Sequence, residues 1–77
     1  MNFGIVVYAN FDNGNLRAYR VNSEKGVSRK DCIEAVEELN SIVSSSYKEN
    51  SGGYICGDDW SINIGKTSSI EFSIVED

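Results

Sequence analysis

Residues 3–22 read FGIVVYANFDNGNLRAYRVN, and this stretch decides the fold. Residues 3–11 are mostly β-branched or aromatic and are apolar on both alternating faces, as in a strand inside a sheet. Asn13 and Gly14 separate them from a second apolar run, and an Asn-Gly pair in that position is the strongest local signal for a β-hairpin. The sequence therefore predicts strands at 3–11 and 16–22.

The same stretch predicts a register for the hairpin. If Asn13 and Gly14 form a two-residue type I′ loop, Tyr8 lies opposite Tyr19. One face then carries Phe3, Ile5, Val7, Ala9, Phe11, Leu16 and Ala18. The other face carries Val6, Tyr8, Tyr19 and Val21, with Asn10 and Arg17 beside them.

One helix is predicted after the hairpin, over residues 28–44. Ser28 is a good N-cap residue, and Asp31 follows three positions later as in a variant capping box. Residues 44–53 are rich in serine and glycine and are predicted to be a loop. Apolar residues recur within the helix at intervals of three and four, which makes a stripe wide enough to cover a sheet face: Cys32, Ala35, Val36, Leu39, Ile42 and Val43.

The C-terminal part alternates again. Residues 54–64 predict a third strand that is interrupted at 57–59, by a bulge or by division into two short strands. A turn at 65–68 leads into a fourth strand at 70–74. The side chains expected to face the helix are Trp60, Ile62, Ile64, Ile70, Phe72 and Ile74.

These elements define an α+β fold of order β-β-α-β-β. We expect two layers, one antiparallel four-stranded sheet with a single helix packed on one face. The 77 residues are too few for two hydrophobic cores, so residues 1–77 are expected to form a single domain.

Composition excludes several function classes. The chain has no histidine, so neither a Ser-His-Asp nor a Cys-His arrangement can be built within it. Two cysteines are too few for a disulfide framework, and the N-terminus does not resemble a signal peptide. The longest apolar run, residues 5–9, is far too short to span a bilayer. We expect a cytoplasmic, non-enzymatic protein without a cofactor.

Two short motifs are interpreted as plain structure. Gly65, Lys66 and Thr67 resemble part of a P-loop, but Trp60 stands where that motif needs another glycine, and a strand rather than a helix follows. Asp58 and Asp59 are carboxylates of the kind that bind Mg²⁺ or Ca²⁺, yet no acid follows at calcium-loop spacing. A solvated turn is the preferred interpretation of both, and no metal site is predicted.

Charge gives the first indication of a partner. The net charge is −5, and residues 31–77 hold ten acidic and two basic side chains. Such a chain repels phosphate backbones, so we expect no direct contact with nucleic acid and favour a larger protein with a basic surface. Glu34, Glu37 and Glu38 form an acidic row on the predicted helix. The row is either a solvated face or a charge pattern that imitates a nucleic acid.

The sheet face opposite the helix is a second candidate surface. A single helix covers one side only, so Tyr8 and Tyr19, with Arg17 beside them, are expected on an open face. Tyrosine with arginine is typical of binding surfaces. The alternatives are that the two tyrosines only stabilise the hairpin, or that the face pairs with another copy as a homo-oligomer.

The preferred function is therefore a small acidic inhibitor or adaptor that occupies a surface of a larger protein. In size, charge and lack of catalytic groups, the chain resembles the short acidic proteins that bacteriophages encode against host defence nucleases. That resemblance implies an anti-defence role in the host cell cytoplasm. The alternatives are a self-assembling structural module and a small enzyme that works without histidine.

Residues 3–43 also show a similarity to the HicB-type antitoxin domain, in which two strands joined by an acid-Gly turn precede a helix rich in Glu and Ala. The chain departs from that family's strand order, which has a third strand before the helix and one after it. The family's Pro-Gly-Cys stretch is missing, since this sequence has no proline. An antitoxin is thus a further alternative, and no residue roles are carried over from it.

Overall fold

The computed structural model describes residues 2–21 and 27–77. This part of the chain is α+β, with antiparallel sheets and one helix longer than a single turn. The strands are β1 (Phe3–Phe11), β2 (Leu16–Arg20), β3 (Tyr54–Cys56), β4 (Ser61–Asn63) and β5 (Thr67–Glu76). Helix α1 spans Arg29–Glu49, and a 3-10 turn occupies Ile64–Lys66.

The main sheet has three strands, in the order β2-β1-β5, instead of the predicted four. The predicted third strand is divided into β3 and β4, which pair with each other in a separate two-stranded sheet. The turn between them is closed by a 2.9 Å hydrogen bond from the Gly57 amide to the Trp60 carbonyl. The interruption at 57–59 therefore marks two short strands, because a tight turn there brings the two segments back onto each other.

The loop between β1 and β2 contains three residues and not two. The Phe11 amide donates to the Asn15 carbonyl at 2.8 Å, and the Gly14 amide donates to the Phe11 carbonyl at 2.9 Å. A type I′ turn needs positive φ at both central residues, whereas here only Gly14, with φ of 88°, is left-handed. The loop is thus a type I turn closed by a left-handed glycine, which adds one residue.

This extra residue makes the predicted register wrong by one position. Val7 lies opposite Tyr19 and Tyr8 lies opposite Ala18. Because side chains alternate along a strand, the shift moves every β2 side chain to the other face of the sheet. Leu16 and Ala18, predicted on the helix side, lie on the outer face. Strand β2 ends at Arg20, and the expected end at Asn22 lies outside the described residues.

Helix α1 begins as predicted and ends later than predicted. Ser28 is the N-cap, and its side chain accepts a hydrogen bond from the Asp31 amide at 3.2 Å. The helix runs to Glu49, where Asn50 caps it in the left-handed conformation with φ of 51°. The serine run at 44–46 is therefore helical, although serine has a low helix propensity.

Two contacts of the last helical turns explain the extension. The Ser46 hydroxyl is buried and donates to the Gly52 carbonyl. The Tyr47 hydroxyl lies 2.5 Å from Oγ1 of Thr67, which itself donates to the Ile64 carbonyl at 2.7 Å. Tertiary hydrogen bonds thus offset the low propensity of the serines, and a sequence pattern does not show such contacts.

The core lies between the main sheet and the layer formed by α1 and the β3-β4 hairpin. Its buried apolar members are Ile5, Val7, Ala9, Cys32, Val43, Ile55, Trp60, Ile62, Ile64 and Ile70. The predicted inward positions of the C-terminal half are confirmed for Trp60, Ile62, Ile64 and Ile70, and Phe72 packs against this cluster half-buried. The helical stripe is only partly buried, since Leu39 is half-buried and Ile42 is 48% exposed.

Two isoleucines test this arrangement as a matched pair. Ile62 is 1% exposed and Ile42 is 48% exposed. Ile62→Ala should lower the free energy of unfolding by roughly 2–5 kcal/mol, because it leaves a cavity in the core. Ile42→Ala should change it by about 0.5 kcal/mol or less. Urea unfolding of both variants measures the difference, and equal losses would contradict the described core.

Candidate protein-binding surfaces

The structure separates the two tyrosines that the sequence placed together. Tyr8 lies on the outer face of the main sheet, and Tyr19 lies on the inner face. The Tyr19 ring stacks on the Trp60 ring, with centroids 5.8 Å apart and an angle of 8° between the planes. Gly57 leaves room for the indole, since a Cβ at that position would overlap it. Tyr19 therefore has a structural role, joining β2 to the β3-β4 hairpin.

The outer face of the main sheet retains part of the predicted surface. Tyr8 is 37% exposed and Leu16 is 59% exposed, and they occupy neighbouring strands. Arg17 is exposed but lies opposite Ala9, so it belongs to the inner side and not beside Tyr8. Tyr8, Tyr19 and Arg17 thus do not form one binding surface.

An ion pair crosses one end of this outer face. The Arg20 guanidinium donates to both carboxylate oxygens of Asp77, at 2.6 and 2.7 Å. Its hydrogen bonds with Asp77 raise the pKa of Arg20 above its usual value. Gly4 has no side chain, and a Cβ there would overlap the guanidinium, so the bridge between β2 and the end of β5 passes over β1 at this glycine. The outer face is therefore polar at this end.

The three predicted glutamates all lie on the exposed side of α1. Glu34 and Glu38 are one helical turn apart, and Glu37 is adjacent to Glu38. Within residues 2–21 and 27–77, none of the three takes part in an ion pair. The row thus places three exposed carboxylates close together on one side of the helix.

A groove lies beside the second half of α1, and the sequence did not indicate it. Its volume is about 420 Å³, and its walls come from the helix and from the loop before β3. Three large apolar side chains line it: Ile64 is buried, whereas Ile42 is 48% exposed and Tyr54 is 65% exposed. Glu49, a set of serines and both loop glycines complete it: Ser41, Ser45, Ser46, Ser51, Gly52 and Gly53. The prediction missed the groove because the helix was expected to end at Ser44.

The acidic row and the groove form one surface. On a helix, residues three and four apart are neighbours, so Glu34 is followed by Glu38 and Glu38 by Ile42 and Ser41. Ile42 and Ser41 are groove residues. The resulting surface offers carboxylates at one end, and hydroxyl groups with exposed apolar side chains at the other.

The remaining motifs keep their structural interpretation. Asp58 and Asp59 are exposed in the turn between β3 and β4. Within the described ranges, no group of three acidic, cysteine or histidine residues is placed to hold a metal ion. Lys66 ends the 3-10 turn and a strand follows, but β5 begins at Thr67 and ends at Glu76, so it is longer at both ends than the predicted strand at 70–74. None of the described helices is long and apolar enough to cross a membrane.

Comparisons of the chain with models of known protein families, with curated proteins and with solved structures found no match. The surfaces of the molecule itself are therefore the features that point to a function.

The different roles of the two tyrosines can be measured with two matched variants. Tyr19→Ala removes the stacked ring, whereas Tyr8→Ala removes the same side chain from the open face. Both substitutions lower the strand propensity by the same amount. Loss of the stacking should therefore lower the free energy of unfolding of Tyr19→Ala by about 1 kcal/mol more than that of Tyr8→Ala. Chemical unfolding gives the two free energies, and the fluorescence of Trp60, the single tryptophan of the sequence, should change only in the folded Tyr19→Ala protein. Equal behaviour of both variants would contradict the described register.

Proposed function

We propose that the protein is a non-enzymatic protein-binding module that binds a basic surface of a larger protein through the outer side of α1. The observation that carries this proposal is the continuity of the acidic row with the groove beside Ile42 and Tyr54. A charged surface alone is typical of any exposed helix, but here it leads into a concave site with exposed apolar walls.

The two parts of this surface have complementary roles in the proposal. Glu34, Glu37 and Glu38 attract lysine and arginine side chains and accelerate association with a basic partner. Tyr54 and Ile42 supply apolar contact area in the groove, and aromatic side chains contribute strongly to binding energy at interfaces. The groove serines offer hydrogen bonds to a bound segment. The expected ligand is therefore a basic protein segment that also carries an apolar side chain.

Inhibition is the proposed consequence of this binding. A basic groove that normally holds a phosphate backbone would accept a row of carboxylates in its place, and the bound module would then block access. This proposal combines the acidity of the chain with the exposure of the row, and it assigns the partner to nucleic-acid-binding proteins such as the nucleases of host defence.

Charge reversal on the helix tests the proposal. Glu34→Lys together with Glu38→Lys should leave the melting temperature unchanged or higher, because the two carboxylates repel each other at i,i+4 spacing. Binding to a basic protein should weaken, and its salt dependence should flatten. Asp12→Lys with Asp59→Lys is the control, since it changes the net charge by the same amount at exposed sites away from α1.

The measurement compares proteins captured from an extract of the source cell by the parent, the helix variant and the control. A partner captured by the parent and the control, and lost with the helix variant, supports the proposal. A Tyr54→Ser variant should weaken the same partner even at high salt, because its contact is apolar. Equal capture by both charge variants at every salt concentration would show that the acidic row is only a solvated face.

A further inference from the structure

Strand β5 forms one edge of the main sheet. It has ten residues, Thr67–Glu76, and β1 is the single strand of the described chain that pairs with it. Edge strands leave alternate backbone amides and carbonyls without partners, and natural proteins usually protect them with lysine, proline or bulges. Strand β5 has a bulge near Ser68 at its start and two charged residues, Glu71 and Glu76, but it contains neither lysine nor proline.

The hydrogen bonds of the hairpin show which backbone groups of β5 point outward. The Val21 amide donates to the Ile5 carbonyl, and the Phe11 amide donates to the Asn15 carbonyl, so the odd-numbered residues of β1 bond to β2. Because bonding alternates along an antiparallel strand, the even-numbered residues of β1 bond to β5. Their partners in β5 are odd-numbered. The outward backbone groups of β5 are therefore those of Ile70, Phe72, Ile74 and Glu76.

The sequence of β5 is complementary to itself when it is reversed about Phe72. In an antiparallel pair of two copies with Phe72 at the centre, Ile70 lies opposite Ile74 of the second copy. Glu71 lies opposite Ser73, and Glu76 lies opposite Ser68. Glu71 thus faces a serine hydroxyl, whereas Ser68 lies in the bulge and its hydroxyl donates to the Asn10 carbonyl of its own chain at 3.2 Å. The apolar residues of the inner face meet one another.

The neighbouring registers that use the same outward groups are less favourable. Moving the centre to Glu71 places the two Glu71 carboxylates directly opposite each other, which is destabilising. Moving it to Ser73 places Glu76 opposite Ile70. The register centred on Phe72 avoids both conflicts, so the pattern selects one pairing.

We propose that two copies of the chain pair antiparallel through their β5 edges, in the register centred on Phe72, and form a continuous six-stranded sheet. The interface is an edge and not the open sheet face that the sequence suggested for self-assembly. This proposal is independent of the proposed function, because it involves β5 and not the outer side of α1.

The opposite edge of the sheet is a poorer site for such pairing. Strand β2 has five residues, and Arg17 and Arg20 occupy two of them. Two copies of β2 would place four arginines along a ladder of at most five residue pairs. Positive charge on an edge strand protects it against pairing. Only the β5 edge is then available, and pairing through one edge gives a closed dimer instead of a longer assembly.

Ser73 provides a test that leaves the monomer intact. Its side chain is exposed on the outer face, where charged residues are tolerated. Ser73→Glu places a carboxylate opposite Glu71 of the other copy twice in each dimer, and it should raise the dimer dissociation constant by roughly fivefold to tenfold. Ser73→Lys should lower that constant. Ala18→Glu, which adds the same charge on β2, is the control and should leave it nearly unchanged.

Sedimentation analysis over a concentration range, up to roughly 1 mM chain, gives the dissociation constants. The parent should approach twice the 8.5 kDa of one chain. Adding Glu71→Lys to Ser73→Glu should restore the dimer, because lysine and glutamate then face each other in this register alone. A parent that stays monomeric throughout, or a dimer that Ser73→Glu does not weaken, would overturn the proposal.

Amide exchange distinguishes edge pairing from other dimers. Exchange at Phe72 and Ile74 should slow as the parent concentration rises, because their amides become hydrogen-bonded across the interface. The outward amides of Leu16 and Ala18 on β2 should not change. Protection of the β2 amides instead of the β5 amides would place the interface at the β2 edge and overturn the proposal.

Discussion

The left-handed glycine that closes the β1-β2 loop determines which side chains enter the core. Gly14 allows a three-residue loop, and the loop length fixes the register of the hairpin. With one residue fewer, Leu16 and Ala18 would face the helix, and Tyr19 would face solvent. The observed register instead places Tyr19 against Trp60 and leaves Tyr8 on the outer face. The separation of the two tyrosines thus follows from the conformation of a single residue.

The position of Tyr19 on the inner side of β2 also gives the small β3-β4 hairpin its structural role. Helix α1 packs mainly against β1 and β5, which leaves the inner side of β2 to be covered by another element. Trp60 covers it from the hairpin turn, where Gly57 makes room for the indole. The inner layer is thus built from a helix and a two-stranded sheet, and Ile55 and Ile62 of that sheet complete the core.

Local patterns predicted the elements better than they predicted how the elements pair. A run of β-branched and aromatic residues predicted β1, alternation predicted the centre of β5 and the inward side of Trp60, and Ser28 marked the start of α1. These features depend on neighbours in the sequence. The hairpin register, the pairing of β3 with β4 and the last turn of α1 depend on a backbone conformation or on distant contacts such as Ser46 with Gly52. The exposure of Glu34, Glu37 and Glu38 agrees with the helical pattern, whereas the groove beside them appears only once the helix reaches Glu49.

The two proposed interactions reinforce each other geometrically. An antiparallel pair of edge strands is related by a two-fold axis perpendicular to the sheet, so both helices of the proposed dimer lie on the same side. The acidic rows would then face in one direction and act as a bivalent surface. A partner with two basic sites at matching distance would be held more strongly than by one copy, since the second contact is intramolecular. Dimer formation through β5 would therefore increase the avidity of the acidic surface for a two-fold symmetric partner without adding any contact to the groove itself.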